Sequence, residues 1–221
     1  MKYRVLPIDD RTLERFNPAM AGRPDLMGDR TSLTLSAGMV AMSENVFINV
    51  KNRSLSITAD VEIPAGGANG VIIAQAGRFG GWSLYLKDNK PTYCYNFVGI
   101  QETKVAATQA MAAGKATIRM NFDYDGGGAG KGGIVSLLVN GEKVATGRIE
   151  RTQAGIFSPD ETAGVGADGA TPVTADYKER DNVFTGKIFK VTVDVKPIGA
   201  AEKAAASKAG AEAAAKLKVA E

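Results

Sequence analysis

Apolar and polar residues alternate with a period of two along much of the chain. Between Ser54 and Ile63, Leu55, Ile57, Ala59, Val61 and Ile63 alternate with Ser54, Ser56, Thr58, Asp60 and Glu62. The same pattern sets Ile118, Met120, Phe122 and Tyr124 against Thr117, Arg119, Asn121 and Asp123. Near the end, Phe189, Val191, Val193 and Val195 alternate with Lys190, Thr192, Asp194 and Lys196. Successive side chains of a strand point to opposite faces, so each run predicts a strand with one dry and one wet face. Strands of that kind suit antiparallel sheets.

The turn residues agree. Asn140-Gly141 lies where a tight hairpin needs two residues at positive φ, and Asp88-Asn89 gives a second, weaker signal. Pro91 follows at a strand start, where a missing N–H costs least. The pattern predicts strands near 32–42, 46–50, 54–63, 70–76, 82–87, 92–98, 100–105, 116–124, 134–139, 143–150 and 186–196. That many short strands without a fixed repeat point to an all-β fold, a two-sheet antiparallel sandwich of jelly-roll type. We expect residues 31–198 to form it, with 1–30 as a lead-in segment laid over it. A short helix is expected around Arg11–Arg15, stopped by Asn17-Pro18. The Ala/Lys/Glu-rich tail 199–221 favours helix, with Glu212 and Lys216 at a supportive spacing. It reads either as a solvated appendage or as a helix docking through Leu217 and Val219.

Composition then excludes several functions. The 27 basic and 24 acidic residues are dispersed, unlike the clustered basic face that nucleic acid requires. Histidine is absent from the 221 residues, which removes the commonest general base and the commonest zinc ligand. The single cysteine, Cys94, leaves no internal disulfide and no Cys-rich metal site. The opening MKYRVLPIDD lacks the apolar run of a signal peptide, and later segments fall short of membrane-spanning length. The expectation is a soluble chain with no cofactor, no metal, no nucleic-acid partner and no membrane insertion.

The stretch Gly70–Asn96, GVIIAQAGRFGGWSLYLKDNKPTYCYN, combines a hairpin meander with the single Trp and the single Cys. Together with Tyr124-Asp125-Gly126-Gly127-Gly128 and Lys131-Gly132-Gly133, it resembles the C-terminal region of the long bacterial arylsulfatases. Further similar pieces run in order: Arg15-Phe16-Asn17-Pro18, Ser43-Glu44-Asn45, Val139-Asn140-Gly141, Phe157 to Thr162, Asp176-Tyr177 and Asn182 to Gly186. The resemblance implies a concanavalin-like or laminin-G-like sandwich attached to a separate sulfatase catalytic domain or chain. It implies no catalysis by this chain. Sulfatases of that family modify the Cys or Ser of a C/S-x-P-x-R motif, whereas Cys94 is followed by Tyr95-Asn96-Phe97-Val98. The expected function is therefore a non-catalytic structural or interaction domain. The alternatives are a carbohydrate-binding module, or a sulfatase component that needs a separate catalytic chain.

Several residues are candidates for a site. Trp82, Tyr85, Tyr93, Tyr95 and Phe97 offer either core aromatics or a sugar-stacking platform, since concanavalin-like sandwiches often bind carbohydrate. Alternation puts Tyr93, Tyr95 and Phe97 on one face and separates Trp82 from Tyr85; Tyr85, Tyr95 and Trp82 are the ligand-binding candidates. Asp123 to Gly128 looks like a calcium loop but lacks the ligand spacing, so a turn is expected. A phosphate loop is excluded, because Lys131 is followed by Gly132 rather than Ser or Thr. The insert from Phe157 to Asn182 is too long for an ordinary connection. Its Asp160, Glu161, Asp176, Tyr177 and Arg180 either meet another surface or form a solvated excursion.

Overall fold

The structure, a computed structural model, describes residues 26–197 and 199. The expected short helix at 11–15 and the helical tail lie outside these residues. Among the described residues the strands are β1 (Ser32–Leu35), β2 (Leu55–Ile63), β3 (Gly70–Gly77), β4 (Gly80–Lys87), β5 (Lys90–Phe97), β6 (Gln101–Ala106), β7 (Gly114–Tyr124), β8 (Lys131–Val139), β9 (Glu142–Arg151), β10 (Ala163–Val165) and β11 (Lys187–Val195). They form a six-stranded sheet in the order β1-β11-β2-β7-β8-β9 and a five-stranded sheet in the order β10-β3-β4-β5-β6. All the pairings within these sheets are antiparallel, as the one-sided alternation predicts.

The two sheets meet through their apolar sides. Ile57, Ala59, Val61, Ile118, Met120, Val135, Leu137, Val191 and Val193 of the first sheet face Ile72, Ile73, Trp82, Leu84 and Tyr93 of the second. Trp82 stacks on Tyr93 at 6.4 Å between ring centroids, and its indole N–H donates to Gln75 Oε1 at 3.0 Å. A buried indole keeps its large apolar area only if that donor is satisfied. Both expected hairpins form. Asp88 and Asn89 sit at φ 51° and 60°, and Asn140 and Gly141 at 51° and 87°.

Four expectations need correction. The strand placed at 32–42 ends at Leu35, and the chain then crosses to the other sheet, where Met42 makes an isolated bridge to Ala163. The strand placed at 46–50 is instead a 3-10 turn, Glu44–Val46, followed by an extended plug. Phe47, Ile48 and Val50 of this plug are all buried, and Phe47 packs against Trp82. The Glu44–Lys51 ion pair and Lys51 over the Phe157 ring hold the plug in place. A short strand absent from the expectation, β10, comes from within the long insert. Phe189, finally, faces solvent between Lys115 and Lys187, because a bulge between Ile188 and Lys190 turns Ile188 inward in its place.

Candidate functional site

The insert following Phe157 does not project from the molecule. It runs as a strap over the outward face of the five-stranded sheet. Val173 and Tyr177 close over Val71, Ala74, Tyr85 and Cys94 as a second apolar cluster, and Tyr177 meets Tyr85 edge-on at 5.3 Å. Gly70 is required for the fit, since a Cβ there would lie 2.3 Å from the Val183 carbonyl oxygen. Two buried side chains brace the strap from within. Asp168 accepts the Tyr177 hydroxyl at 2.7 Å and the Val173 N–H at 3.0 Å, and Asn182 donates to the carbonyls of Asp168 and Lys178. Burial pushes the Asp168 carboxyl above the usual carboxylate range, against the pull of those donors.

Asp176 clamps the strap to the strands. It accepts the Tyr85 hydroxyl at 2.6 Å, the Lys87 ammonium at 3.0 Å and the Lys104 ammonium at 2.9 Å. Burial alone would raise this carboxyl, but the three donors outweigh burial and hold it at about 2. Beneath the clamp, burial pushes the Cys94 thiol up to about 12, so it stays protonated at neutral pH.

Where the strap reaches the turns of the five-stranded sheet it leaves a cleft of about 360 Å³. Arg78 from the β3–β4 turn, Gly99 and Ile100 from the β5–β6 turn, and Gln101 and Glu102 of β6 form one side. Pro172, Thr174 and Tyr177 of the strap form the other. Buried Asn96 joins these parts. Its Nδ2 donates to the carbonyls of Arg78 (3.0 Å) and Val173 (2.9 Å), and its Oδ1 accepts the Gly99 N–H (2.9 Å). The Thr174 hydroxyl donates to Glu102 at 3.0 Å across the cleft wall.

The lip is apolar. Phe79 and Ile100, at the tips of neighbouring hairpins, are 71% and 74% exposed, and Gly99 packs against Phe79. The hairpin bearing Ile100 turns through Val98 and Gly99, both at positive φ (45° and 72°). A β-branched residue resists that conformation, so the tip carries local strain, which the bonds from Gly99 N–H to Asn96 and from Ile100 N–H to the Phe97 carbonyl offset. Among the described residues, the Arg78 guanidinium has no hydrogen bond or ion pair. The site therefore gathers a planar donor group, an amide, a carboxylate and an unshielded aromatic ring.

The residues expected from sequence fall elsewhere. Trp82, Tyr85 and Tyr95 are 1%, 1% and 6% exposed, which leaves none of these rings a free face for a ligand. Trp82 and Tyr95 belong to the inter-sheet core, where the Tyr95 hydroxyl accepts the Gln153 N–H at 2.7 Å, while Tyr85 lies under the strap. Asp176 and Tyr177 face the protein's own sheet, and only Tyr177 of the named loop residues lines the cleft. Glu161 turns inward to the Thr171 hydroxyl, whereas Asp160 and Arg180 stay exposed. Asp125 pairs with Arg148 at 2.7 Å, and the Tyr124 hydroxyl donates to the Gly128 carbonyl, as befits a turn. Arg78 and Asn96 did not stand out in the sequence. Asn96 carried a signal, being a residue depleted from strands within an aromatic strand run.

No protein-family model matches the chain, and no curated protein matches it. Solved structures do. The CBM40 domain of Ruminococcus gnavus IT-sialidase, bound to α2,3-sialyllactose, aligns with 13% identity over 78% of this chain and 94% of that one, with a TM-score of 0.50. The same domain in a second structure gives 13% identity and a TM-score of 0.50 over the same shares. The LG4-5 domains of mouse laminin α1 align with 14% identity over 78% of this chain and 40% of that chain, with a TM-score of 0.44. At these identities the likeness is one of fold alone, a two-sheet antiparallel β-sandwich like that of the CBM40 domain.

Proposed function

We propose that this chain is a non-catalytic carbohydrate-binding domain whose ligand lies in the cleft between the strap and the β3–β4 and β5–β6 turns. One observation carries the reading: the exposed Phe79 and Ile100 lip stands beside a cleft lined by Arg78, Gln101 and Glu102. Sugars present apolar ring faces edged by hydroxyls, and concave sites with a few convergent polar groups suit them. The IT-sialidase domain, whose structure holds sialyllactose, supports the reading through its similar fold, an argument by analogy. Catalysis by this chain is disfavoured, since it has no histidine and its thiol is buried and protonated. The division into a lead-in segment 1–30, a sandwich 31–198 and a tail 199–221 is retained as part of the proposal.

Glycan-array binding, followed by affinity gel electrophoresis of the best ligands, tests the reading. Phe79→Ala and Arg78→Ala are expected to weaken retardation about tenfold or more while the thermal transition stays in place. Failure of any glycan to bind, or binding untouched by both substitutions, would contradict it.

A second reading is an arylsulfatase-type accessory domain docked to a separate catalytic domain or chain. The exposed outer side of the strap favours it, where Asp160, Glu179, Arg180 and Val183 are all in solvent. Co-purification with such a partner, and 4-nitrophenyl sulfate hydrolysis with and without this chain, tests that interface. Unchanged hydrolysis and separate elution would remove it.

A further inference from the structure

The charges around the cleft are unequally matched. Glu102 takes the Thr174 hydroxyl at 3.0 Å and the Lys104 ammonium at 3.5 Å. Asp176 behind it takes Lys87, Lys104 and the Tyr85 hydroxyl. Deeper in, Asp168 is engaged by Tyr177 and Val173, and Glu161 by Thr171 through Oε1 alone, its buried Oε2 having no hydrogen-bond partner among the described residues. The Arg78 guanidinium has no such partner among the described residues, so its charge is left over at the mouth. A guanidinium offers five N–H donors in a plane, accepts nothing, and fits the two oxygens of a carboxylate or sulfate side by side.

Resting on the carbohydrate reading, we infer that the cleft selects an acidic glycan, binding a carboxylate or sulfate-ester group on Arg78 while Phe79 and Ile100 take the apolar face of the same or the adjoining sugar ring. Gln101, exposed beside the cleft, then serves hydroxyls, and Glu102 stays tied to Lys104 and Thr174. A neutral sugar would leave the guanidinium facing hydroxyls that gain less from its charge. The pairing is exposed, so it weakens with added salt.

Affinity gel electrophoresis of the full chain with dextran, polygalacturonate and dextran sulfate decides the matter. The last two carry a carboxylate and a sulfate ester respectively, and their comparison separates the two sources. At least one polyanion is expected to bind about tenfold tighter than dextran. Arg78→Ala should abolish that preference and Arg78→Lys restore only part of it, because an ammonium keeps the charge but loses the fork. Lys143→Ala removes an exposed charge on β9 and should change nothing. Equal binding of all three polymers overturns the acidic-group assignment and leaves the carbohydrate reading standing. Equal losses from Arg78→Ala and Lys143→Ala also overturn it, since they would show undirected attraction. Binding of none of the three polymers overturns the acidic-group assignment, and the glycan array then decides the carbohydrate reading separately.

Discussion

The two outward faces of this sandwich are treated in opposite ways. On the six-stranded sheet, Ser56, Thr58, Asp60, Arg119, Asn121, Thr192 and Asp194 form a polar surface. Arg119 donates to Asn121 and Ser56, and Thr117 donates to Asp60. On the five-stranded sheet, Val71, Ala74, Tyr85 and Cys94 are apolar and buried under the strap. The strap that dries this face also supplies one wall of the cleft, so covering the sheet and building the site are one event. The strapped sheet gains a concave place for a ligand at the margin of its cover.

Substitutions on the two faces should therefore have very different costs. Tyr85→Ala removes a ring that points away from the inter-sheet core, yet it should destabilise the domain by about 3–5 kcal/mol in urea unfolding. It should also open the strap to limited proteolysis. A loss below about 1 kcal/mol would mean that the strap is not packed on the sheet.

Asp176→Asn sharpens the point with a smaller effect. The aspartate carboxyl is held at about 2, below its ordinary 3.8, so its stabilisation is fully present above about pH 4. It is lost as the pH falls from about 4 through about 2. At pH 7 the variant should be less stable by about 1 kcal/mol, because solvent screening of this partly exposed carboxylate reduces what its shift alone would give. The gap between the melting temperatures of wild type and variant should close on acidification. A gap that stays constant down to pH 2 would contradict the clamp.

The least effect is expected on the bare face. Thr58→Val, paired with Thr192 and Arg119 on the open side of β2, should change stability by less than about 0.5 kcal/mol. A loss approaching that of Tyr85→Ala would show that this face, too, is covered.

The same contrast explains what the sequence revealed. β2 and β7 alternate cleanly because one side of each meets water, and their positions follow almost residue for residue. The segments of β3 to β5, GVIIAQAG, GGWSLYLK and KPTYCYNF, are buried on both faces, and alternation within them assigns facing but not exposure. It correctly put Tyr93 and Tyr95 on one side and Tyr85 opposite Trp82. It was silent on what covered Tyr85, because the covering residues Val173 and Tyr177 lie about ninety positions away in an aperiodic insert. β10 is three residues long, too short for any period to declare itself. The bulge at Ile188 reverses Phe189 without altering the apparent rhythm of the sequence. Arg78 gained its meaning only when two turns and the strap came together around it.

Hydrogen exchange, with and without the tightest-binding polysaccharide, bears most directly on where the ligand lies. Slowed exchange should be confined to the turn residues 78–79 and 98–102 and the strap residues 171–177, with β2, β7 and β11 unchanged. Protection spread along β2, β7 and β11, with none at the cleft, would place the ligand on the bare sheet and contradict the proposal.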